Sequence, residues 1–150
     1  MHDAQPRITL AAFEELCAHS APFVHYFDFR TEDIGAGTAR VRLPYDEKFV
    51  RPGGTISGPA MMALADFTMW AALLGAIGEV PLAVTTSLNI NFLRKPANTD
   101  VICTARLLKL GRRLAVGDLV LTPEGEGLPC AHVTATYSIP PRNSGSSAVK

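Results

Sequence analysis

Cysteine is scarce in this chain of 150 residues: Cys17, Cys103 and Cys130 are odd in number, far apart and free of any C-x-x-C spacing. That excludes a disulfide framework and a dithiol redox motif, and predicts a reduced, cytoplasmic setting. Histidine is equally thin, since His2, His19, His25 and His132 include no pair at a metal-ligand interval, and no metal is expected. Net charge is missing altogether. Fourteen Lys+Arg balance fourteen Asp+Glu, which removes the electrostatic case for a nucleic acid or an anionic membrane as partner. Small molecules and other protein surfaces remain. The opening MHDAQPRITLAAF has no cationic start followed by an unbroken apolar run, so no secretory signal is expected. Between Pro52 and Gly78 charge nearly vanishes, Asp66 being its one bearer. A carboxylate at the centre of a bilayer would cost about 2.5–3.5 kcal/mol, so this segment reads as a helix buried in a globular core and no membrane partner is expected.

What is present suffices for one domain: 47% of the residues are apolar, and a chain of this length buries enough surface to need no staple. Residues 8–19 place Leu10, Phe13 and Leu16/Cys17 on one face behind a possible Thr9 cap, predicting a short amphipathic helix. After a Gly35/Gly37 turn, TARVRLP alternates as a half-exposed strand does and stops at Pro44. The loop YDEKFVRPGGTISGP is too rich in glycine and proline for regular structure. The buried helix follows at about 59–77, with Pro59 in its first turn. Four β-rich runs then read as an antiparallel meander: LAVTTSLNINFLRKP, TDVICTARLLKLG, RRLAVGDLVLTPEG and LPCAHVTATYSIP. The expected organisation is a helix and lead-in over 1–24, the folded domain over 25–140 and a disordered tail over 141–150.

A helix apolar on all sides has to be wrapped, and a curved antiparallel sheet can wrap it, giving an α+β fold. Five strands cannot close around it. The open edge and the uncovered helix face therefore predict association with a second copy of the chain.

Three features stand together as candidate chemistry. Gly53-Gly54-Thr55-Ile56-Ser57-Gly58-Pro59 leads into the helix, where free N–H groups and the positive end of the helix dipole suit an oxyanion. Gly58 keeps its donor and Pro59 has none. Asp66, embedded in MMALADFTMWAALL, is a carboxylate where few are tolerated without a partner, suited to a general base or a nucleophile. Thr85 and Thr86 open the following strand, and Thr85 is placed to orient an attacking water. Each feature has a plainer structural explanation: a tight turn, a satisfied carboxylate and an ordinary β-branched strand residue. Gly58 and Asp66, eight residues apart, lie about 12 Å apart along one helix. Both can serve one carbonyl only if they come from different subunits with antiparallel helices.

The stretch GGTISGPAMMALADFTMWAAL, with VTTSLNINFLRKPA and LLKLGRRLAV, resembles the hotdog-fold acyl-CoA thioesterases of the phenylacetate-pathway type, over residues 25–139. The resemblance implies a hotdog fold, a curved antiparallel sheet of five to six strands around one long central helix. The family's His-Gly-Gly falls on Ser57, Gly58 and Pro59, its catalytic acid on Asp66, and an Asn position on Arg51. By that resemblance Gly58 polarises a thioester carbonyl, Asp66 of the partner chain activates water or attacks, and Thr85 assists the acid. The implied substrate is an acyl-CoA, with no cofactor, acted on by an obligate homodimer that pairs into a dimer of dimers. Arg94, Lys95, Arg112 and Arg113 are candidates for the coenzyme A phosphates. Phe67, Met69, Trp70 and Leu73 are candidates for an acyl tunnel, although such residues at helical spacing are ordinarily core. Two alternatives remain open: an acyl-CoA-binding protein without efficient turnover, and a hydratase. The latter would require a histidine, and none lies between His25 and His132.

Overall fold

The computed structural model describes residues 4–141, so the expected tail lies outside the described residues but for Pro141. Helix α1 spans Leu10–Ser20, and the Thr9 hydroxyl caps it by accepting from the Ala12 N–H at 3.1 Å. One turn apart, Phe13 and Cys17 bury its inner face. A second helix that the sequence reading lacks, α2 at Phe23–Phe27, ends where Asp28 takes a left-handed conformation. Its aromatic residues make it a packing element: Phe27 stacks on Phe29 and Phe23 meets Phe67 edge-on.

The strand expected before the long helix is a hairpin. Strand β1 (Arg30–Ile34) precedes the Gly35/Gly37 turn and β2 (Thr38–Leu43) follows it, ending before Pro44 as predicted. The glycine-rich loop is more regular than expected. Val50–Arg51 (β3) and Thr55–Ile56 (β4) pair as a miniature hairpin, and Gly53 and Gly54 turn it with φ of 99° and 81°, values a side chain would oppose.

Helix α3 runs Gly58–Ile77, and β5 (Val84–Phe92), β6 (Val101–Leu110), β7 (Leu114–Pro123) and β8 (Ala131–Ser138) follow. The six-stranded antiparallel sheet has the order β1-β2-β6-β7-β8-β5. The expected four-strand meander is therefore corrected. Strands β6, β7 and β8 do meander, but β5 pairs with β8 at the far edge. Strand β2 occupies the side of β6 that β5 would have taken, and α3 carries the chain beneath the sheet to the other edge. This is the hotdog arrangement, with α3 as its filling.

Why α3 fits is a matter of small side chains. Ala65, Ala71 and Ala72 stand beside Leu64, Leu73 and Leu74, all fully buried, so the sheet approaches closely at the small residues and the large ones fill the remaining space. By length and composition α3 would suffice to cross a membrane, yet 72% of its apolar window is buried in this chain's own core. The helix is not covered all round: Pro59, Met62, Ala63 and Asp66 form an incompletely buried stripe at helical spacing. Beside that stripe, β5 is an edge strand with Val84 and Phe92 exposed.

The tightest contact lies at the other end of α3. A Cβ on Gly75 would fall 2.1 Å from the Gly35 carbonyl oxygen and 2.8 Å from Ile34 Cγ2. Backbone cannot swing aside as a side chain can. Gly75→Ala is expected to lower stability by about 1–3 kcal/mol, read as a fall in Tm. Gly127→Ala, with nothing within 4 Å of its added Cβ, is expected to leave Tm unchanged.

Candidate active site

Asp66 sits on the uncovered stripe of α3, where two hydroxyl groups converge on one of its oxygens. Thr85 Oγ1 donates to Oδ1 at 2.6 Å, and Tyr137 donates to the same Oδ1 at 2.6 Å. The Tyr137 oxygen also lies 2.9 Å from the Asp66 backbone carbonyl. Oδ2 has no hydrogen bond among the described residues. Because no described buried side-chain oxygen lacks a partner, Oδ2 is the oxygen that solvent reaches.

Local register puts those hydroxyls in place. Along β5, Leu88 opposes Ala135 and Ile90 opposes Val133, so the even positions face the helix. Unbroken alternation would turn Thr86 inward. A bulge between Thr85 and Ser87 shifts the parity instead, and Thr85 opposes Tyr137. Thr86 becomes the extra residue, its hydroxyl spent on the Thr136 carbonyl at 3.2 Å. Bulges re-aim side chains in this way at sheet edges.

Tyr137 is the functional candidate that the sequence reading missed. Its signal was present: on the inward face of VTATYS it follows Val133 and Ala135, and a phenol on a buried face needs an acceptor. Burial, and next the adjacent Asp66 charge, push its pKa far above the ordinary tyrosine value, so the group stays a proton donor.

The carboxylate opens onto a cleft of about 540 Å³ walled by Phe23, Phe67, Trp70, Leu82 and Val84. Trp70, an acyl-tunnel candidate, lines the same cleft as Asp66 and Thr85, with 9% of it exposed. No histidine among the described residues lines this cleft. The cysteine thiols are buried, which pushes the pKa of Cys17 and Cys103 up to about 12 and that of Cys130 to about 11. None supplies a thiolate near neutrality. No three His, Cys, Asp or Glu side chains among the described residues converge as a metal site requires.

Gly58 lies elsewhere, in a second cleft of about 480 Å³ with Arg51, Phe92, Arg94 and Lys95. In the first turn of α3 the amides can be accounted for one by one. Ala60 N–H donates to Ser57 Oγ at 3.3 Å, Met61 N–H to the Ser57 carbonyl at 3.2 Å, and Pro59 has no N–H. Ser57 is thereby the helix cap. Gly58 retains the one amide of that turn without an acceptor among the described residues. A Cβ there would meet the Phe92 ring at 3.2 Å. Arg94 also holds the Pro129 carbonyl. Arg112 and Arg113 line a third cleft with Arg7 and Ile77, at the opposite end of α3. Within one subunit, therefore, the predicted residues fall into three groups: the acid with its hydroxyls, the amide with three cations, and a remote arginine pair.

This six-stranded antiparallel sheet wrapped on one long helix defines the hotdog class. Comparison with known proteins gives the family. The thioesterase superfamily profile matches residues 53–130, and the chain belongs to that superfamily. A solved structure from Silicibacter sp. TM1040, named as a thioesterase, is 40% identical, covers 93% of this chain and 97% of its own, and superposes with a TM-score of 0.83. A relative from Thermoplasma acidophilum named as an esterase is 27% identical over 117 residues, 78% of this chain and 87% of its own. A mutant of the phenylacetic acid degradation protein PaaI from Thermus thermophilus shares the fold, with a TM-score of 0.70 at 24% identity over 79% of this chain and 98% of that one. The superfamily match and the names of the first two relatives support a hydrolase of ester or thioester bonds in general.

The raised Tyr137 value carries a pH dependence. Unfolding releases the phenol to ionise near 10.0, so its contribution to stability is complete below that pH and is lost as pH rises through and beyond it. The Tm of the unmodified protein is expected to fall more steeply in this alkaline range than that of Tyr137→Phe.

Proposed function

We propose that the protein hydrolyses an acyl-CoA thioester to the free acid and coenzyme A, working as a homodimer whose subunits each supply half of the site. The observation that carries this reading is the divided carboxylate: Oδ1 of Asp66 is bound by two hydroxyls while Oδ2 opens onto an apolar cleft. With Oδ2 as general base, a water loses its proton to Asp66 as its oxygen adds to the thioester carbonyl. The resulting oxyanion is stabilised by a backbone N–H, and collapse expels the thiolate, which takes up the proton held by Asp66 and returns the carboxylate. Direct attack by Oδ2 is the alternative chemistry, and it uses the same free oxygen. Neither route calls for a cofactor.

The amide is Gly58 of the other subunit. Its distance along α3 from Asp66, about 12 Å, precludes joint action on one carbonyl within a chain. The uncovered stripe of α3 and the exposed edge of β5 favour pairing of two copies, which brings one Asp66 cleft beside the other chain's Gly58 cleft. Arg51, Arg94 and Lys95 around that amide suit the phosphates of coenzyme A, and the aromatic walls beside Asp66 suit the acyl group.

Two experiments test the reading. Incubation with a panel of acyl-CoAs is expected to release free thiol in catalytic amounts, with Asp66→Asn slower in kcat by about 10²-fold or more. Binding without thiol release would assign the protein to the non-catalytic alternative. Subunit sharing is tested by refolding Asp66→Asn together with Gly58→Pro, each inactive alone. The mixed dimer holds one site with both defects and one with neither, so activity is expected to return to about a quarter of the unmodified rate under random pairing. No recovery, with dimers formed, would rule out a site shared between chains.

A further inference from the structure

We infer that Tyr137 is a positioning residue for this hydrolysis: together with Thr85 it occupies Oδ1 of Asp66, fixes the plane of the carboxylate and leaves Oδ2 as the oxygen that reacts. The inference rests on the proposed role of Asp66 and adds to it which oxygen acts and what selects it.

A carboxylate oxygen has two lone pairs suited to strong donors. Both on Oδ1 are engaged, at 2.6 Å each, by residues that face one another across β5 and β8. A phenol needing only to satisfy itself would be content with any acceptor. Tyr137 lies 4% exposed against the same oxygen that Thr85 uses, and its hydroxyl is also 2.9 Å from the carbonyl of the same aspartate. Contact with both the backbone and the side chain of one residue restrains the torsions between them. The β5 bulge completes the arrangement by turning Thr85, rather than Thr86, toward the acid. Because burial keeps the phenol protonated, its hydrogen remains committed to Asp66 and Tyr137 does not itself exchange protons with substrate.

Loss of the phenol oxygen should therefore impair turnover through Asp66 and leave substrate binding nearly unchanged. With an acyl-CoA that the unmodified protein hydrolyses, Tyr137→Phe is expected to lower kcat by about 10- to 100-fold, the range that misplacement of a reacting group produces, with KM changed by less than about twofold. The decisive readout is the double variant. Adding Tyr137→Phe to Asp66→Asn should cost nothing further, because the carboxylate through which Tyr137 works is already gone. Fluorotyrosine incorporated at Tyr137 keeps the shape and alters only the acidity of the donor. It is expected to change kcat in the unmodified background and not in Asp66→Asn, and so supplies the test should the phenylalanine variant fail to fold. An unchanged kcat, a rise in KM alone, or additive losses in the double variant would overturn the inference. If Asp66→Asn turns over at the unmodified rate, the proposed function falls with it. If Asp66→Asn is inactive while Tyr137→Phe keeps its kcat, only the positioning role falls.

Discussion

One carboxylate on an otherwise apolar helix sets the terms for the rest of this molecule. Helix α3 fills the sheet because its side chains are small or aliphatic, and an ion among them is costly unless it has partners. Asp66 finds those partners at one place, the edge where β5 lies on β8. The two hydroxyls arrive there on separate strands, one turned inward by a bulge and one already on the inward face. Both bonds fall on the same oxygen. Satisfying the charge thus differentiates the two ends of the carboxylate, and the end left over opens onto the aromatic cleft.

The same helix separates what a hydrolytic site would need to combine. Its first turn keeps one amide, because Ser57 serves as cap and Pro59 has no N–H, while the acid stands eight residues further on. A straight helix cannot fold back on itself, so amide and acid on a single α3 face different clefts. Under the proposed reading a second chain resolves this. The features that would join the two chains, the β5 edge and the stripe of Pro59, Met62 and Ala63, adjoin the features that would do the chemistry. Assembly and catalysis would then be one requirement on the sequence.

Much of the local structure could be read directly from residue order. Thr9 caps α1, Pro44 follows the last residue of β2, and Gly58–Ile77 is helical, because capping, proline geometry and apolar periodicity act within a few residues. The family resemblance carried by GGTISGPAMMALADF agrees with the thioesterase superfamily match. Less accessible were α2, whose five residues are too short for a periodic pattern, and β1, whose RTEDI carries little apolar alternation.

Sequence alone determined that the long helix is buried, where it begins and ends to within a residue, and that an acid and a helix-start amide lie on it at a spacing one subunit cannot close. Tertiary structure decided that β5 joins β8 instead of β6, that Thr85 instead of Thr86 faces Asp66, and that Tyr137, 71 residues away, binds the same oxygen. The physical reason is range. Caps and helix limits follow from interactions between neighbours along the chain, whereas strand order, bulge parity and the meeting of a tyrosine with an aspartate exist only once distant segments have been brought into one sheet.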